Sequence, residues 1–260
     1  MKKVLIPTAL DSVAKDILEA HGGYTVVQIP KCDILQFARE NADLHALIVR
    51  SEKITAEIID AAPALKVIIR AGAGYNTIDI QHARAKGVDV MNTPGANSNG
   101  VAEEVIALML ADARHLIAAD PSCRAGKWEK TTFMGTEITG KTIGIVGLGY
   151  IGRLVAKRLS GFEPKLLGYD PNVKPEQAQA LGVELVALTD LFARSDYVTL
   201  HLPENAETKG MVNRDLLGRM KPGAVLINCA RAGIVNEDDL RALKAEKKIR
   251  FLNDVYPKDE

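Results

Sequence analysis

The stretch TIGIVGLGYIGRLVAKRL, Thr142 to Leu159, can adopt few conformations. An apolar run ends in Gly147-x-Gly149-x-x-Gly152, and apolar residues then recur at helical spacing, so the segment predicts a strand, a tight turn and a helix in succession. Gly147 permits the tight turn, Gly149 lets a ligand approach the backbone, and Gly152 lets the helix lie close to the strand. The unpaired N–H groups and positive potential of a helix that begins this way suit a phosphate-bearing ligand.

The same alternation runs along most of the chain. Before Gly95 come the apolar runs KVLIP, YTVVQIP, ALIVRS, LKVIIRAGAG and VDVMNTPG, separated by amphipathic stretches such as SVAKDILEAHGG and TAEIIDAAP. Gly22-Gly23 and Gly87 sit where helices should end; Asp11-Ser12, Thr55 and Asp79 sit where they should begin. A long helical pattern, SNGVAEEVIALMLADARHLIAAD, is expected to stop at Pro121, and CRAGKWEKTTFMGTEITG reads as an irregular loop carrying Trp128. From Lys141 the rhythm restarts and continues to FLNDVYP. The fold class expected is α/β, with two doubly wound parallel-sheet domains, residues 1–98 and 99–260.

Composition narrows the partners. Thirty-three basic residues balance thirty-three acidic ones, so no global field favours nucleic acid or an anionic membrane, and small molecules or other subunits are expected instead. Cys32, Cys123 and Cys229 are scattered and without C-x-x-C spacing, which argues against a disulfide framework or a zinc site; no metal is expected. The N-terminal apolar run is short and broken by Pro7, and nowhere do about eighteen apolar residues run uninterrupted, so a cytoplasmic, membrane-free chain is expected.

Asp170 ends a second apolar run, LLGYD, eighteen residues beyond Gly152. A carboxylate there can accept hydrogen bonds from both ribose hydroxyls of an adenosine and would repel a 2′-phosphate, and DPNVKP places no arginine directly after it, so NAD is expected over NADP. Candidates for the chemistry belong at other strand ends, where ligands of open α/β sheets bind. Arg231 follows AVLINCA and Asp254 follows FLN. An arginine fork suits a carboxylate or a polarised carbonyl, although spacing alone equally allows a surface arginine on a turn.

The segments RAGAGYNTID, VMNTPGANSNGVAE, GKWEKTTFMGTEITGKTIGIVGLGYIGR, LHLP and INCARAGIVNEDDL together resemble the D-isomer-specific 2-hydroxyacid dehydrogenases, in particular the branch acting on 3-phospho-D-glycerate. The resemblance implies a flavodoxin-like substrate domain and a Rossmann NAD-binding domain. It also implies oxidation of 3-phospho-D-glycerate to 3-phosphohydroxypyruvate at the entry to serine biosynthesis. Alternatives are a reductase for glyoxylate, hydroxypyruvate or another 2-oxoacid, and an inert NAD-binding scaffold or fragment.

Carried over by position, Arg231 orients the substrate carboxylate and carbonyl. Ala73 and Gly74 offer backbone N–H groups to the carboxylate, and Arg50, Ser51 and Arg70 line the substrate side. Lys130 is the candidate for the substrate phosphate, and reads equally as a solvated loop lysine. On the cofactor side, Tyr150 and Ile151 lie in the glycine turn, Leu202 and Pro203 flank the adenine, Cys229 and Ala230 contact the nicotinamide ribose, and Asp254 binds the carboxamide. Glu260, or Asp259, corresponds to the glutamate that holds the family's catalytic histidine.

That histidine follows in a Pro-His segment which the 260 residues do not reach, so a longer chain is expected. None of the five histidines replaces it: His201 reads as a strand-end residue at the cofactor edge, His115 as part of the long helix, and His21, His45 and His82 as surface or helix-end residues. A homodimer is also implied, with residues 101–119 as its contact.

Overall fold

The computed structural model describes residues 1 to 256, which fold as two compact units, Met1–Asn97 and a second beginning at Ser98. The first contains strands β1 (Lys2–Ile6), β2 (Tyr24–Gln28), β3 (Leu44–Val49), β4 (Val67–Arg70) and β5 (Asp89–Asn92), with helices α1 (Val13–Ala20), α2 (Ile34–Glu40), α3 (Ala56–Asp60) and α4 (Ile80–Ala85) between them. The strands are parallel in the order β2-β1-β3-β4-β5, the flavodoxin-like arrangement, with its reversal between β1 and β3.

Local sequence explains why the helices start and stop there. Asp33 and Asp79 accept the backbone N–H groups of Gln36 and His82, capping α2 and α4, and Gly22 and Gly87 take positive φ just past α1 and α4. Alternation along the strands loads both faces. Leu5, Leu47, Val49 and Ile68 pack with Ile34, Ile58, Ile59 and Ala83 of the three helices on one side. Val4, Ile6, Val26 and Ile48 form the core on the other, with Leu18 of α1.

The second unit opens with α5 (Ser98–Ala113) and α6 (Leu116–Arg124). There follow β6 (Thr142–Val146), α7 (Tyr150–Leu159), β7 (Lys165–Tyr169), α8 (Pro175–Gln179), β8 (Val183–Leu185) and α9 (Leu188–Arg194). The rest of the sheet and its cover are β9 (Tyr197–Leu200), α10 (Arg214–Arg219), β10 (Val225–Asn228), α11 (Glu237–Lys247) and β11 (Arg250–Asn253). All pairings are parallel in the order β11-β10-β9-β6-β7-β8, a Rossmann sheet whose reversal lies between β6 and β9. One face is covered by α5 and α7, through Ala102, Val105, Met109, Val155 and Leu159; the other by α9, α10 and α11, through Phe192, Leu217 and Leu240. Every residue of β9 and β10 is buried, as strands covered on both faces require.

The long helix does not stop at Pro121. It breaks at Arg114 and His115, His115 taking a left-handed φ of 52°, and Pro121 lies inside α6. The cause is tertiary: the N–H of Thr136 bonds the Ala113 carbonyl at 2.8 Å, so the loop after α6 terminates α5. Pro121 removes a bond to the carbonyl of Ile117, a residue 80% exposed, so the freed carbonyl lies at the surface, where the loss costs least. His115 is therefore a hinge residue between two helices. Among the described residues, no helix is long and apolar enough to cross a membrane.

Candidate functional site

The Rossmann sheet gathers the cofactor candidates at the carboxyl ends of its strands. Gly147 leaves β6 with φ 94°, donates to the Tyr169 carbonyl at 2.8 Å, and has the His201 backbone against it. A Cβ on Gly152 would collide with the Gly147 carbonyl, which is how closely α7 lies on the turn. Gly149 differs: a Cβ built there meets nothing within 4 Å, and no side chain caps the helix that Gly149 begins. Three glycines thus do three jobs, the two flanking ones internal and the middle one facing open space beside uncapped N–H groups. Arg153 Nε braces the turn by donating to the Leu148 carbonyl at 2.8 Å. Tyr150 is exposed and Ile151 half-buried in the first turn of α7.

Asp170 follows β7 and accepts the Leu148 N–H on Oδ2 and the Asn172 N–H on Oδ1, each at 2.8 Å. Its carboxylate is held beside the glycine turn, and each oxygen keeps lone-pair capacity for a ribose hydroxyl. An open cradle at Gly149, an uncapped helix and an oriented carboxylate fit a dinucleotide.

Past the reversal, Leu202 and Pro203 follow β9, with Leu202 packed against the core and Pro203 exposed. His201 precedes them. Its Nε2 meets Thr199 Oγ1 at 3.0 Å, its Nδ1 is buried without a hydrogen bond among the described residues, and desolvation holds its pKa down to about 3. An imidazole so weakly basic is a poor general base near neutrality. The folded protein keeps His201 neutral where the unfolded chain would protonate it below its ordinary 6.5. Stability is therefore complete above that pH and falls as pH drops toward about 3. Urea denaturation should show the wild type losing about 2 kcal/mol more than His201→Asn between pH 7 and 5; equal losses would contradict the assignment.

Arg231 follows β10 on a turn that Asn228 organises. The Asn228 amide donates to the Arg231 carbonyl at 2.9 Å and accepts the Ala230 N–H at 3.1 Å. Arg231 Nη1 donates to the Ala230 carbonyl at 2.6 Å, and no carboxylate pairs with the guanidinium among the described residues. Cys229 is buried between β10 and β11, whose register sets it beside Asp254. Burial first, then the Asp254 and Glu104 carboxylates, push its thiol up to about 12. Cys229 is thus held as a protonated thiol rather than a nucleophile.

In the first unit the candidates also lie at carboxyl ends. Arg50 and Ser51 follow β3, and Arg70 ends β4, its Nε on the Arg50 carbonyl at 2.9 Å and its guanidinium against Gly72. The Ala73 carbonyl is held by Asn92 Nδ2 at 2.7 Å. Lys130 belongs to neither edge: it lies in the loop between α6 and β6, 5.4 Å from the centroid of the Trp128 ring, a cation–π contact. Glu260 and Asp259 lie outside the described residues.

Residues 106–260 match the family profile described as "D-isomer specific 2-hydroxyacid dehydrogenase, NAD binding domain". The chain belongs to the D-isomer-specific 2-hydroxyacid dehydrogenases. The matched residues lie in the Rossmann unit, and their profile is that of an NAD-binding domain. The chain is similar to D-3-phosphoglycerate dehydrogenase of Mycobacterium tuberculosis, 46% identical over 209 residues, 80% of this chain and 39% of the relative. Against the human protein of that name it is 40% identical over 261 residues, covering 100% of this chain and 49% of the relative. The chain thus spans half or less of the length of these curated relatives. The solved NAD+-bound 3-phosphoglycerate dehydrogenase of Entamoeba histolytica superposes with a TM-score of 0.82 at 34% identity, covering 100% of this chain and 82% of that one.

The residues that brace these sites form no motif of their own in the sequence. Asn92 and Asn228 each end a strand and turn an amide onto a nearby loop carbonyl. A polar amide closing an apolar strand was the available signal. Glu52, which holds the backbone of Arg50 and Ser51, gave none.

Proposed function

We propose that this chain carries the substrate and cofactor sites of an NAD-dependent dehydrogenase that oxidises 3-phospho-D-glycerate at C2, at the entry to serine biosynthesis. The observation that carries this reading is the uncapped glycine turn with Asp170 beside it, in a chain whose relatives are named for that reaction. Bound NAD would accept the hydride from C2. Gly149 and the N–H groups of α7 would hold its pyrophosphate, Asp170 its adenosine ribose, and Asp254 its carboxamide, with Leu202, Pro203, Cys229 and Ala230 completing the cofactor contacts. Arg231 would orient the substrate carboxylate and carbonyl oxygen, the Ala73 and Gly74 amides the carboxylate, and Lys130 the phosphate. The proton acceptor would be a histidine held by Glu260 or Asp259, in a part of the relatives that this chain does not span.

In the full-length protein, NADH formation should be faster per molar substrate with 3-phospho-D-glycerate than with D-lactate. A higher kcat/KM for glyoxylate or hydroxypyruvate reduction would replace this substrate. Arg231→Lys, which keeps the charge and loses the fork, should lower kcat/KM about a thousandfold, roughly 4 kcal/mol of transition-state stabilisation; a loss under tenfold would remove Arg231 from the site. We also propose a cytoplasmic homodimer joined through α5 and α6. Support comes from Leu116 and Ile117, 52% and 80% exposed on α6.

A further inference from the structure

The carboxyl edge of the first sheet holds an anion nest that the chain fills with its own carboxylate. Glu52 Oε2 accepts the Arg50 N–H at 2.7 Å and the Ser51 N–H at 3.1 Å. Thr8 and the backbone of Glu52 itself also favour the charged form of this carboxylate. Partial burial works to raise its pKa, and these donors outweigh burial, so Glu52 stays below the usual glutamate value and ionised. Successive backbone N–H groups converging on one oxygen form a concavity that attracts anions, whichever group supplies them.

The position of this nest is informative. Thr8 follows β1 and Arg50 follows β3, and the strand order reverses between those two strands. That reversal is where open α/β sheets bind ligands. β4 lies next to β3, with Val49 opposite Arg70, and the loop after β4 carries Ala73 and Gly74, whose N–H groups make no hydrogen bond among the described residues. Two donor pairs therefore follow adjacent strands, one open and one plugged.

We propose that Glu52 is a specificity-determining residue, a built-in competitor that a second acidic group on the substrate must displace from the Arg50–Ser51 nest. This rests on the 2-hydroxyacid reading above: the substrate carboxylate takes the open pair, and an acidic group at C3 meets the plugged one. A phosphate gains the donors only as Glu52 gives them up, and until then it faces a like charge, so its net advantage is a small difference between similar charge-assisted bonds. A neutral hydroxyl or methyl at C3 meets no such competition.

The test uses the full-length protein with Glu52→Ala and Glu52→Gln. The ratio of kcat/KM for a 3-phosphorylated 2-hydroxyacid to that for its unphosphorylated counterpart should rise about tenfold in Glu52→Ala, mainly through KM. Glu52→Gln, which keeps the shape and removes the charge, should lie between. Unchanged ratios in both variants would reduce Glu52 to a turn brace and overturn the proposal. Calorimetric titration with inorganic phosphate supplies a readout without turnover: Glu52→Ala should bind about tenfold more tightly than wild type, and equal affinity would overturn the proposal. Inactivity of the wild type toward every 2-hydroxyacid would defeat the functional reading alone and leave the phosphate titration to decide the nest.

Discussion

Gly152→Ala is expected to abolish NADH binding and to destabilise the Rossmann unit, whereas Gly149→Ala is expected to weaken binding and leave the fold intact. At position 152 the new methyl would run into the Gly147 carbonyl, with the carbonyl carbon only 3.0 Å away, and neither the turn nor α7 can withdraw without disturbing β6. Overpacking against backbone of this kind costs about 3 kcal/mol, which for a unit of this size lowers Tm by roughly 6–12 °C. At position 149 nothing lies within 4 Å and φ is −73°, so alanine fits the free protein. It would instead fill the space a pyrophosphate needs to reach the uncapped N–H groups, raising the NADH dissociation constant about a hundredfold, or about 2.7 kcal/mol. Thermal denaturation and calorimetry on both variants separate the two effects. Wild-type NADH affinity in Gly149→Ala would mean that the dinucleotide does not approach the helix there.

Asp170→Ala should remove the preference for NADH over NADPH. The wild-type carboxylate can take two ribose hydroxyls, and hydrogen bonds to a charged group are worth about 1.5–3 kcal/mol each, so NADH affinity should fall roughly a hundredfold or more. NADPH, relieved of a carboxylate opposite its 2′-phosphate, should bind no worse than before. The substitution also strips an acceptor from the Leu148 and Asn172 N–H groups, a cost of about 1–3 kcal/mol to the fold. Asp170→Asn keeps an acceptor for Leu148 and serves as the structural control: it should recover most of the Tm and little of the discrimination. A fixed NADH-to-NADPH ratio across all three proteins would show that Asp170 acts only as a brace for the turn.

Much of this chemistry was legible in the order of residues, because it depends on short-range geometry. Period-two and helical spacing, Asp33 and Asp79 ahead of helices and Gly87 behind one are local facts, and so is the strand–glycine–helix sequence around Gly147. The break at His115 was not, because α5 ends where Thr136, from a loop more than twenty residues on, takes the Ala113 carbonyl. Nor could the nearness of Cys229 to Asp254 be read, since both residues come directly after the paired Asn228 and Asn253 of β10 and β11. Glu52 was equally silent: a glutamate after Arg-Ser reads as a solvated charge until the loop curls its carboxylate back onto two preceding amides.

By itself the sequence determined that strands and helices alternate, that one turn is shaped for a phosphate, and that a carboxylate and an arginine each end a strand. Each rests on interactions within a few residues, where spacing and side-chain type decide the energy. Only the tertiary structure decided the strand orders, and with them which strand ends lie together. Parallel pairing joins segments far apart in the chain through backbone hydrogen bonds that carry no side-chain signature, so the company kept by Asp170, Arg231 and Glu52 is a property of the folded sheets.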